Sequence, residues 1–210
     1  MRLGIFGGTF DPPHVGHLLA ASDAIEHLAL DRLILIPAAV QPLKTSRRTA
    51  SGTDRLAMVR LTAADDPRFE TDPVELDREG LSFTVDTLRE FARRFPSAER
   101  YFLVGADVLS TFAKWREPRI VLELATLGVL TRREEPEAAP VESPTSLRPT
   151  ARLNVDSLDE ALAQRSTIVP TRRIDVSSTE IRERVRSGRS IHGFVTDAVA
   201  GYISSHGLYR

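Results

Sequence analysis

The sequence predicts an α/β fold: an open, mostly parallel sheet with helices on both faces. Two observations predict it. Short apolar runs alternate with stretches that have the period of an amphipathic helix. The runs are continuously apolar rather than alternating, which is typical of parallel strands that are buried on both faces. In such sheets, ligands bind beyond the carboxyl ends of the strands.

The continuously apolar runs define the predicted sheet. Strands are predicted over residues 3–6, 32–37, 100–105, 127–131 and 166–170. The run "RLILIP" is rich in β-forming residues and stops at a proline, which cannot continue a central strand. The sequence therefore predicts a sheet of at least five strands.

Helices are predicted between the strands. The stretch "GHLLAASDAIEHLAL" (16–30) places Leu18, Ala21, Ile25 and Leu28 on one face. Residues 53–65 and 84–95 have the same period. A further helix is predicted in "DSLDEALAQR", with the Asp or the Ser of its first two residues as the N-cap.

Composition limits the kind of protein. The 210 residues are interpreted as a single domain, 1–210, with a proline-rich loop or insertion at about 133–152. The formal charge of −1 predicts no general attraction to nucleic acid or to a membrane surface. The absence of cysteine excludes disulfides, thiolate metal sites and a cysteine nucleophile. We expect a cytoplasmic protein, with a homo-oligomer left open.

The stretch "GIFGGTFDPPHVGH" predicts a phosphate site. Gly7 and Gly8 follow the first strand and leave backbone N–H groups accessible. A helix that begins near Gly16 or His17 adds its unpaired N–H groups and the positive end of its dipole. His14 and His17 bring imidazole donors to the same end. The pattern matches neither a Walker loop nor a dinucleotide-binding fingerprint.

Two other interpretations of this stretch stay open. The glycines could form an ordinary turn between strand and helix, with His14 solvated. Alternatively, Asp11, His14 and His17 could hold a metal ion, although no further cluster of ligands completes a coordination shell. The remaining three histidines are isolated and are expected to be structural or exposed.

A second constellation lies in "DVSSTEIRERVRSG". Ser177 is predicted to cap a helix, with Glu180 completing a capping box. Ser178 and Thr179 then place hydroxyl groups at a second helix N-terminus, and Arg182 lies one turn further on, where it could bind phosphate oxygens. Together the two motifs predict two helix N-termini that face one polyphosphate.

The two motifs together resemble those of a known protein family. "GTFDPPHVGH" followed by "SSTEIR" resembles the HxGH-type nucleotidyltransferases and, within them, the bacterial nicotinate mononucleotide adenylyltransferases. "SFTVDTL" (82–88), "VGADVLSTFAKW" (104–115) and "YISSHGLYR" also resemble that family, so the likeness covers nearly the whole chain. Phosphopantetheine adenylyltransferases are similar, but usually have threonine where this chain has His14. The resemblance implies a Rossmann-like nucleotidyltransferase fold.

The resemblance implies a reaction in NAD biosynthesis. ATP and nicotinate mononucleotide would give deamido-NAD and pyrophosphate, with His14, His17 and Arg182 as the catalytic residues. The acceptor phosphate is already anionic, so no general base is required. Mg²⁺ would be bound mainly through substrate phosphates and water rather than by a protein metal site. Nicotinamide mononucleotide or phosphopantetheine as the acceptor, or a non-catalytic nucleotide-binding regulatory module, remain alternatives.

The resemblance also implies roles on the ATP side. His14 and His17 would contact the ATP phosphates, with His17 nearest the reacting phosphorus. Asp107 would bind the ribose, or would merely cap a helix. The other residues implied in ATP binding are Gly7, Gly8, Thr9, Phe10, Lys44, Gly105, Ser178 and Thr179.

On the acceptor side, the resemblance implies that Trp115 stacks on the nicotinate ring. The backbone at Thr84 and Arg116 would bind its carboxylate, and Arg132 would reach the phosphate of the mononucleotide. Trp115 could instead be a core aromatic residue, and Arg132 could form a solvated basic pair with Arg133.

The chain departs from the family pattern after the second strand. Leu43 stands where histidine is expected, and Ala38 and Ala39 replace a segment that often holds asparagine. Of the residues that would contact phosphate from this loop, only Lys44 keeps a positive charge.

Overall fold

The computed structural model describes residues 1–39, 50–78, 80–132 and 157–210. Leu43, Lys44 and the predicted proline-rich loop at about 133–152 lie outside the described residues. Within the described ranges, no helix has both the length and the apolar character needed to cross a membrane.

The described strands form one parallel sheet. They are β1 (Arg2–Gly8), β2 (Arg32–Pro37), β3 (Phe69–Thr71), β4 (Glu99–Gly105), β5 (Thr126–Arg132) and β6 (Ser166–Thr171). Their order is β3-β2-β1-β4-β5-β6, and each neighbouring pair is parallel. The predicted fold class is confirmed. The short edge strand β3 is an addition to the predicted set, because "FET" has a single large apolar residue and gives no strand signal.

Helices lie between the strands from β1 to β6, and two more follow β6. They are α1 (Val15–His27), α2 (Gly52–Ala63), α3 (Thr84–Arg94), the 3₁₀ helix (Ala106–Lys114), α4 (Pro118–Leu124), α5 (Leu158–Gln164), α6 (Ser178–Arg186) and α7 (Asp197–Ser205). The predicted cap of α5 is confirmed, since the Ser157 hydroxyl accepts from the Glu160 amide at 3.1 Å. α1 ends earlier than predicted, because Ala29 has a φ of 47° and cannot continue a right-handed helix.

The two faces of the sheet hold separate apolar clusters. On one face, Ile5 of β1 belongs to a cluster with Leu88 of α3 and Val121 of α4. On the other face, Leu33 of β2 belongs to a cluster with Ala24 of α1. Burial on both sides of the sheet explains why its strands are continuously apolar in the sequence.

A third apolar cluster holds α6 and α7 against α2. It contains Met58 of α2, Ile181 of α6 and Ile203 of α7, and all three are almost fully buried. The backbone N–H of Val15 donates to the Phe194 carbonyl at 2.9 Å, which ties the start of α1 to the segment between α6 and α7. This packing places the N-terminus of α6 beside that of α1.

The strand order places a crevice at the carboxyl ends of β1 and β4. β1 lies between β2 and β4, so the chain leaves the centre of the sheet in both directions. In open parallel sheets, ligands bind where the strand order reverses in this way.

Candidate active site

One cleft of about 660 Å³ opens at this crevice. It brings together most of the residues selected from the sequence, although they come from segments far apart in the chain. Those that line it are Gly7, Gly8, Thr9, Phe10, His17, Thr84, Gly105, Asp107, Trp115, Arg116, Ser178, Thr179 and Arg182.

Three residues selected from the sequence are not among the described residues that line the cleft: His14, Lys44 and Arg132. His14 is absent from its wall, but its ring stacks on that of His17 with 3.7 Å between centroids. Lys44 and the side chain of Arg132 lie outside what the structure describes, and only the backbone of Arg132 is placed, at the end of β5. The roles implied for Lys44 and Arg132 therefore stay predictions.

The turn after β1 is shaped by the Phe10 ring. Phe10 is 2% exposed and has a φ of 48°, a left-handed conformation that costs free energy in any residue with a side chain. A Cβ on Gly8 would lie 2.8 Å from this ring, whereas one on Gly7 would lie 3.7 Å from Phe102. Gly8 is thus required by the aromatic ring, and not only by backbone access as the sequence suggested.

His14 and His17 are arranged by the start of α1. His14 is the N-cap, and its backbone N–H donates to Nδ1 of His17 at 3.3 Å. A neutral His17 that accepts at Nδ1 carries its proton on Nε2. The His17 ring also packs against Phe10, with 5.0 Å between centroids and 73° between planes. The ring is held between an imidazole and an aromatic side chain.

The surroundings of His14 favour an uncharged imidazole. Burial lowers the pKa of His14 from 6.5 to about 4, because the charged form loses hydration. Its Nδ1 is buried and has no hydrogen-bond partner among the described residues. At neutral pH, His14 is therefore a neutral ring that supports His17.

The Asp11 carboxylate is engaged by other parts of the protein. It is 4% exposed and accepts from the Tyr209 hydroxyl at 2.7 Å and from the Ala50 amide at 3.3 Å. Among the residues that the structure describes, no group of three His, Cys, Asp or Glu could hold a metal ion. This arrangement does not favour the metal site considered for Asp11, His14 and His17.

The N-terminus of α6 is docked onto the turn that precedes α1. The Ser177 hydroxyl accepts from the Glu180 amide at 3.1 Å, which confirms the predicted N-cap. The Ser178 hydroxyl donates to the Pro12 carbonyl at 2.8 Å, and Nη1 of Arg182 donates to the Asp11 carbonyl at 2.7 Å. These two bonds join residues that are 166 and 171 positions apart. The predicted convergence of two helix N-termini is present in the fold.

The other end of the cleft is aromatic and lies beside the N-terminus of α3. The Trp115 ring meets Phe102 edge-on at 6.2 Å and Phe112 at 5.3 Å, and it is half-buried. It contacts the core and also lines the cleft. Thr84 is the first residue of α3, so its backbone N–H has no intrahelical partner. The Arg116 guanidinium lies 4.8 Å from the ring centre of the N-cap, Phe83.

Asp107 lies in the first turn of the 3₁₀ helix, at the cleft. The N-cap of that helix is Gly105, so the alternative that Asp107 caps a helix is wrong. Its Oδ1 lies 2.5 Å from where a Cβ on Gly105 would be, so the glycine leaves room for the carboxylate. The carboxylate is exposed and accepts no hydrogen bond within the described part of the chain.

The sequence is similar to those of known proteins. The sequence matches the cytidylyltransferase-like family over residues 5–184. The chain belongs to the cytidylyltransferase-like family. A probable nicotinate-nucleotide adenylyltransferase of Gemmatimonas aurantiaca is 51% identical over 210 residues, which cover 100% of this chain and 93% of the relative. One from Thermus thermophilus is 43% identical, with 100% of both chains covered.

Solved structures give the same fold. Plasmodium falciparum nicotinic acid mononucleotide adenylyltransferase complexed with NaAD superposes with a TM-score of 0.70 at 16% identity, over 99% of this chain and 97% of the other. The resemblance to the nucleotidyltransferases that was drawn from the motifs is confirmed by the family match and by the two curated relatives.

In this cytidylyltransferase-like protein, sequence reasoning missed Glu75. Glu75 lines the cleft, is 6% exposed and accepts from the Thr87 hydroxyl at 2.8 Å. Burial raises its pKa, partly offset by hydrogen bonds from Thr87 and Ser82. The Ser82 hydroxyl also accepts from the Ala39 amide at 3.0 Å. Glu75 joins α3 to the segment after β2, and nothing in an irregular acidic stretch signals this from sequence.

Alanine at Gly8 is expected to destabilise this family member by about 1–3 kcal/mol, as overpacking does. The new Cβ would meet the buried Phe10 ring, which has little room to move. Gly7→Ala is the matched control, since its Cβ makes an ordinary contact, and it should change the free energy of unfolding by less than about 1 kcal/mol. Urea unfolding measures both variants, and equal losses would contradict the assigned contact.

We expect His14 to make stability depend on pH. In the unfolded chain its pKa is near 6.5, and in the folded protein it is about 4. Between these values the unfolded chain binds more protons, so stability is lost as pH falls through this window. From pH 7 to 4.5, the wild type should lose about 2–3 kcal/mol more than His14→Gln. Urea unfolding at both pH values measures this, and parallel losses would show that His14 titrates alike in both states.

Proposed function

We propose that this protein transfers the adenylyl group of ATP to nicotinate mononucleotide, giving deamido-NAD and pyrophosphate. One observation carries the proposal: a single cleft is lined by His17, by Arg182 and by Trp115, which belong to remote segments. The first two fit a polyphosphate, and the third fits a flat ring. Relatives named probable nicotinate-nucleotide adenylyltransferase, at 51% and 43% identity over the whole chain, support it.

The ATP phosphates would lie between the N-termini of α1 and α6. The positive dipole ends of both helices favour an anion there. Thr179 and Ser178 add hydroxyl groups, and Arg182 adds a guanidinium that can contact two oxygens. The ribose would be bound by Asp107, whose exposed carboxylate accepts no bond from the described residues and so can accept from a diol.

The acceptor would occupy the aromatic end of the cleft. The half-buried Trp115 offers a ring face to the pyridine. The carboxylate of the nicotinate would meet the backbone N–H of Thr84 at the positive end of α3, with the backbone of Arg116 close by. This arrangement gives a physical reason to prefer nicotinate, because the amide of nicotinamide carries no negative charge.

The chemical step needs no nucleophile from the protein. An oxygen of the acceptor phosphate attacks the α-phosphorus of ATP, and the bond from that phosphorus to the oxygen bridging to the β-phosphate breaks. The electron pair goes to pyrophosphate, which leaves. The protein aligns the two reactants and stabilises charge on the leaving group. The Nε2–H of His17 and the guanidinium of Arg182 are donors suited to that charge.

We expect Mg²⁺ to accompany ATP. The hydrogen-bond donors of the cleft are imidazole, guanidinium, hydroxyl and backbone N–H groups, which fit phosphates. Its carboxylates, in the described part of the chain, are Asp107 and the buried Asp11 and Glu75, which accept hydrogen bonds from Tyr209 and Thr87, respectively. The described residues also provide no group of three metal ligands. The ion would thus be held by phosphate oxygens and water, where it neutralises phosphate charge. Phosphate contacts from Lys44 and Arg132, the single domain, the cytoplasmic location and a homo-oligomer stay predictions.

The experiment offers purified protein ATP with each of three acceptors in turn: nicotinate mononucleotide, nicotinamide mononucleotide and phosphopantetheine. Release of pyrophosphate and the mass of the product are measured. We expect the fastest turnover with nicotinate mononucleotide and a product with the mass of deamido-NAD. Turnover only with phosphopantetheine would overturn the proposal. Tight ATP binding without pyrophosphate from any acceptor would instead indicate a regulatory module.

A further inference from the structure

Tyr209 lies in the segment that follows α7, far in sequence from the turn after β1. Its side chain is nevertheless buried beside that turn, and its hydroxyl donates to Oδ1 of Asp11 at 2.7 Å. The two residues are 198 positions apart. The segment therefore reaches back to the base of the cleft.

Asp11 connects Tyr209 to Arg182. The backbone carbonyl of Asp11 accepts from Nη1 of Arg182 at 2.7 Å. Its carboxylate accepts from Tyr209 and, at 3.3 Å, from the backbone N–H of Ala50, just before α2. One residue thus accepts from Tyr209 through its side chain and from Arg182 through its backbone carbonyl.

The backbone at Tyr209 is strained. Its φ is 66°, in the left-handed region that bulky residues rarely adopt. Phe10, immediately before Asp11, is also left-handed, with a φ of 48°. Such strain persists only where the surroundings enforce it, and it concentrates at functional sites. Here two strained aromatic residues flank one buried carboxylate.

The Tyr209 hydroxyl remains a donor. Burial raises its pKa, and the negative charge of Asp11 raises it further. Arg182 and Arg55 act in the opposite direction. Arg55 is 1% exposed and donates to the Thr9 carbonyl at 2.7 Å, so a second guanidinium supports the same turn. The hydroxyl therefore stays protonated and directed at Asp11.

We propose that Tyr209 is a positioning residue for the phosphate end of the active site. Its hydroxyl fixes Asp11, and the Asp11 carbonyl in turn fixes Arg182 in the orientation that binds the triphosphate. The inference rests on the proposed function and adds to it a residue that contacts neither substrate. Loss of the hydroxyl should lower kcat/KM for ATP and leave the binding of nicotinate mononucleotide unchanged.

The competing explanation is that Tyr209 serves only the third apolar cluster, to which its ring belongs. Tyr209→Phe distinguishes the positioning role from the packing role, because it keeps the ring and removes the hydroxyl. Tyr202→Phe is the matched control. The Tyr202 hydroxyl donates to Asp54 at 3.0 Å, and neither residue lines the cleft. The same chemical change is thus made at an unrelated hydrogen bond.

Three quantities are measured for the wild type and both variants: steady-state kinetics with ATP varied, binding of a non-hydrolysable ATP analogue by calorimetry, and binding of nicotinate mononucleotide. The last can be followed by the fluorescence of Trp115, the single tryptophan of the chain. We expect Tyr209→Phe to lower kcat/KM for ATP by about 10-fold, because small misplacements of a binding group are costly. Acceptor binding should stay at the wild-type value, and Tyr202→Phe should match the wild type throughout.

Two results would overturn the inference. Wild-type kinetics in Tyr209→Phe, with only a lower melting temperature, would leave the ring as a packing element. Equal weakening of ATP and acceptor binding would indicate general loosening. If Tyr209→Phe does not fold, Asp11→Ala, which removes the acceptor Oδ1, must show the same ATP-specific loss. Wild-type ATP use in that variant would also refute the inference.

The experiments distinguish failure of the proposed function from failure of the inference about Tyr209. A wild type that turns over no acceptor defeats the proposed function alone, because calorimetry with the ATP analogue still compares Tyr209→Phe with Tyr202→Phe. A double-mutant cycle adds a further check. On an Arg182→Lys background, removal of the Tyr209 hydroxyl should have little additional effect, since both changes act on one contact.

Discussion

Replacement of His17 by alanine is expected to slow adenylyl transfer by about 10²–10³-fold, the usual loss when one preorganised donor is removed. His17 lines the cleft, and its ring is held by His14 on one side and Phe10 on another. The His14 amide at its Nδ1 places the proton of the neutral ring on Nε2. A donor fixed in this way costs no reorganisation when charge develops on the leaving pyrophosphate.

The loss should fall on kcat rather than on ATP binding, because the donor acts mainly on charge that appears in the transition state. His27→Ala is the matched control, since His27 is an exposed residue at the end of the same helix. Single-turnover rates with nicotinate mononucleotide measure the step. A His17→Ala protein with near-normal turnover and unchanged stability would remove His17 from the mechanism.

Replacement of Arg182 is the second large effect. Arg182→Ala should lower kcat/KM for ATP by about 10²–10³-fold, since a charged donor on the phosphates is lost. Arg182→Lys should recover only part of this, with a loss of about 10–10²-fold, because an ammonium group cannot reproduce the planar fork of the guanidinium. In the structure, Nη1 contacts the Asp11 carbonyl and Nη2 contacts Thr179.

Arg184→Lys is the matched control for Arg182→Lys. Arg184 lies on the same helix, donates to the Ser190 carbonyl at 2.7 Å and packs over Phe194 at 4.3 Å, but it does not line the cleft. Its replacement should leave the kinetics with ATP unchanged. Equal kinetic effects of the two lysine variants would show that Arg182 acts through helix stability and not through phosphate.

The parallel sheet could be predicted because its central strands are apolar on both faces. β2 and β4 follow from their runs alone. The cap of α6 follows from a serine with a glutamate three residues later, and that of α5 was narrowed to an aspartate or a serine, of which the structure shows the serine. β3 could not be predicted, since a three-residue strand is created by pairing with β2 and not by its own pattern. The strand order β3-β2-β1-β4-β5-β6 also required the structure.

The phosphate side of the site could be predicted to a large extent. Backbone donors, dipoles and positive side chains are local properties, visible in the two motifs around His17 and Arg182. What joins the motifs could not be predicted, because it depends on side chains that meet only in the folded chain. Asp11 was considered as a metal ligand, whereas its buried carboxylate anchors Tyr209, and no sequence pattern signals that contact.

On the acceptor side, too, some residues could be predicted and others could not. Trp115 and Thr84 were selected through resemblance, and the structure places both at the cleft. Glu75 joins α3 to the segment after β2 through Thr87 and Ser82. It was not predicted, because a glutamate in an irregular acidic stretch usually faces solvent.

The central claim is that two helix N-termini, remote in sequence, bind one triphosphate. A crystal structure with a non-hydrolysable ATP analogue and nicotinate mononucleotide tests it most directly. We predict His17 Nε2 and the Arg182 guanidinium within hydrogen-bond distance of the same triphosphate chain, with the pyridine ring on Trp115. A triphosphate bound away from either helix N-terminus, with His17 or Arg182 facing no phosphate oxygen, would contradict the claim.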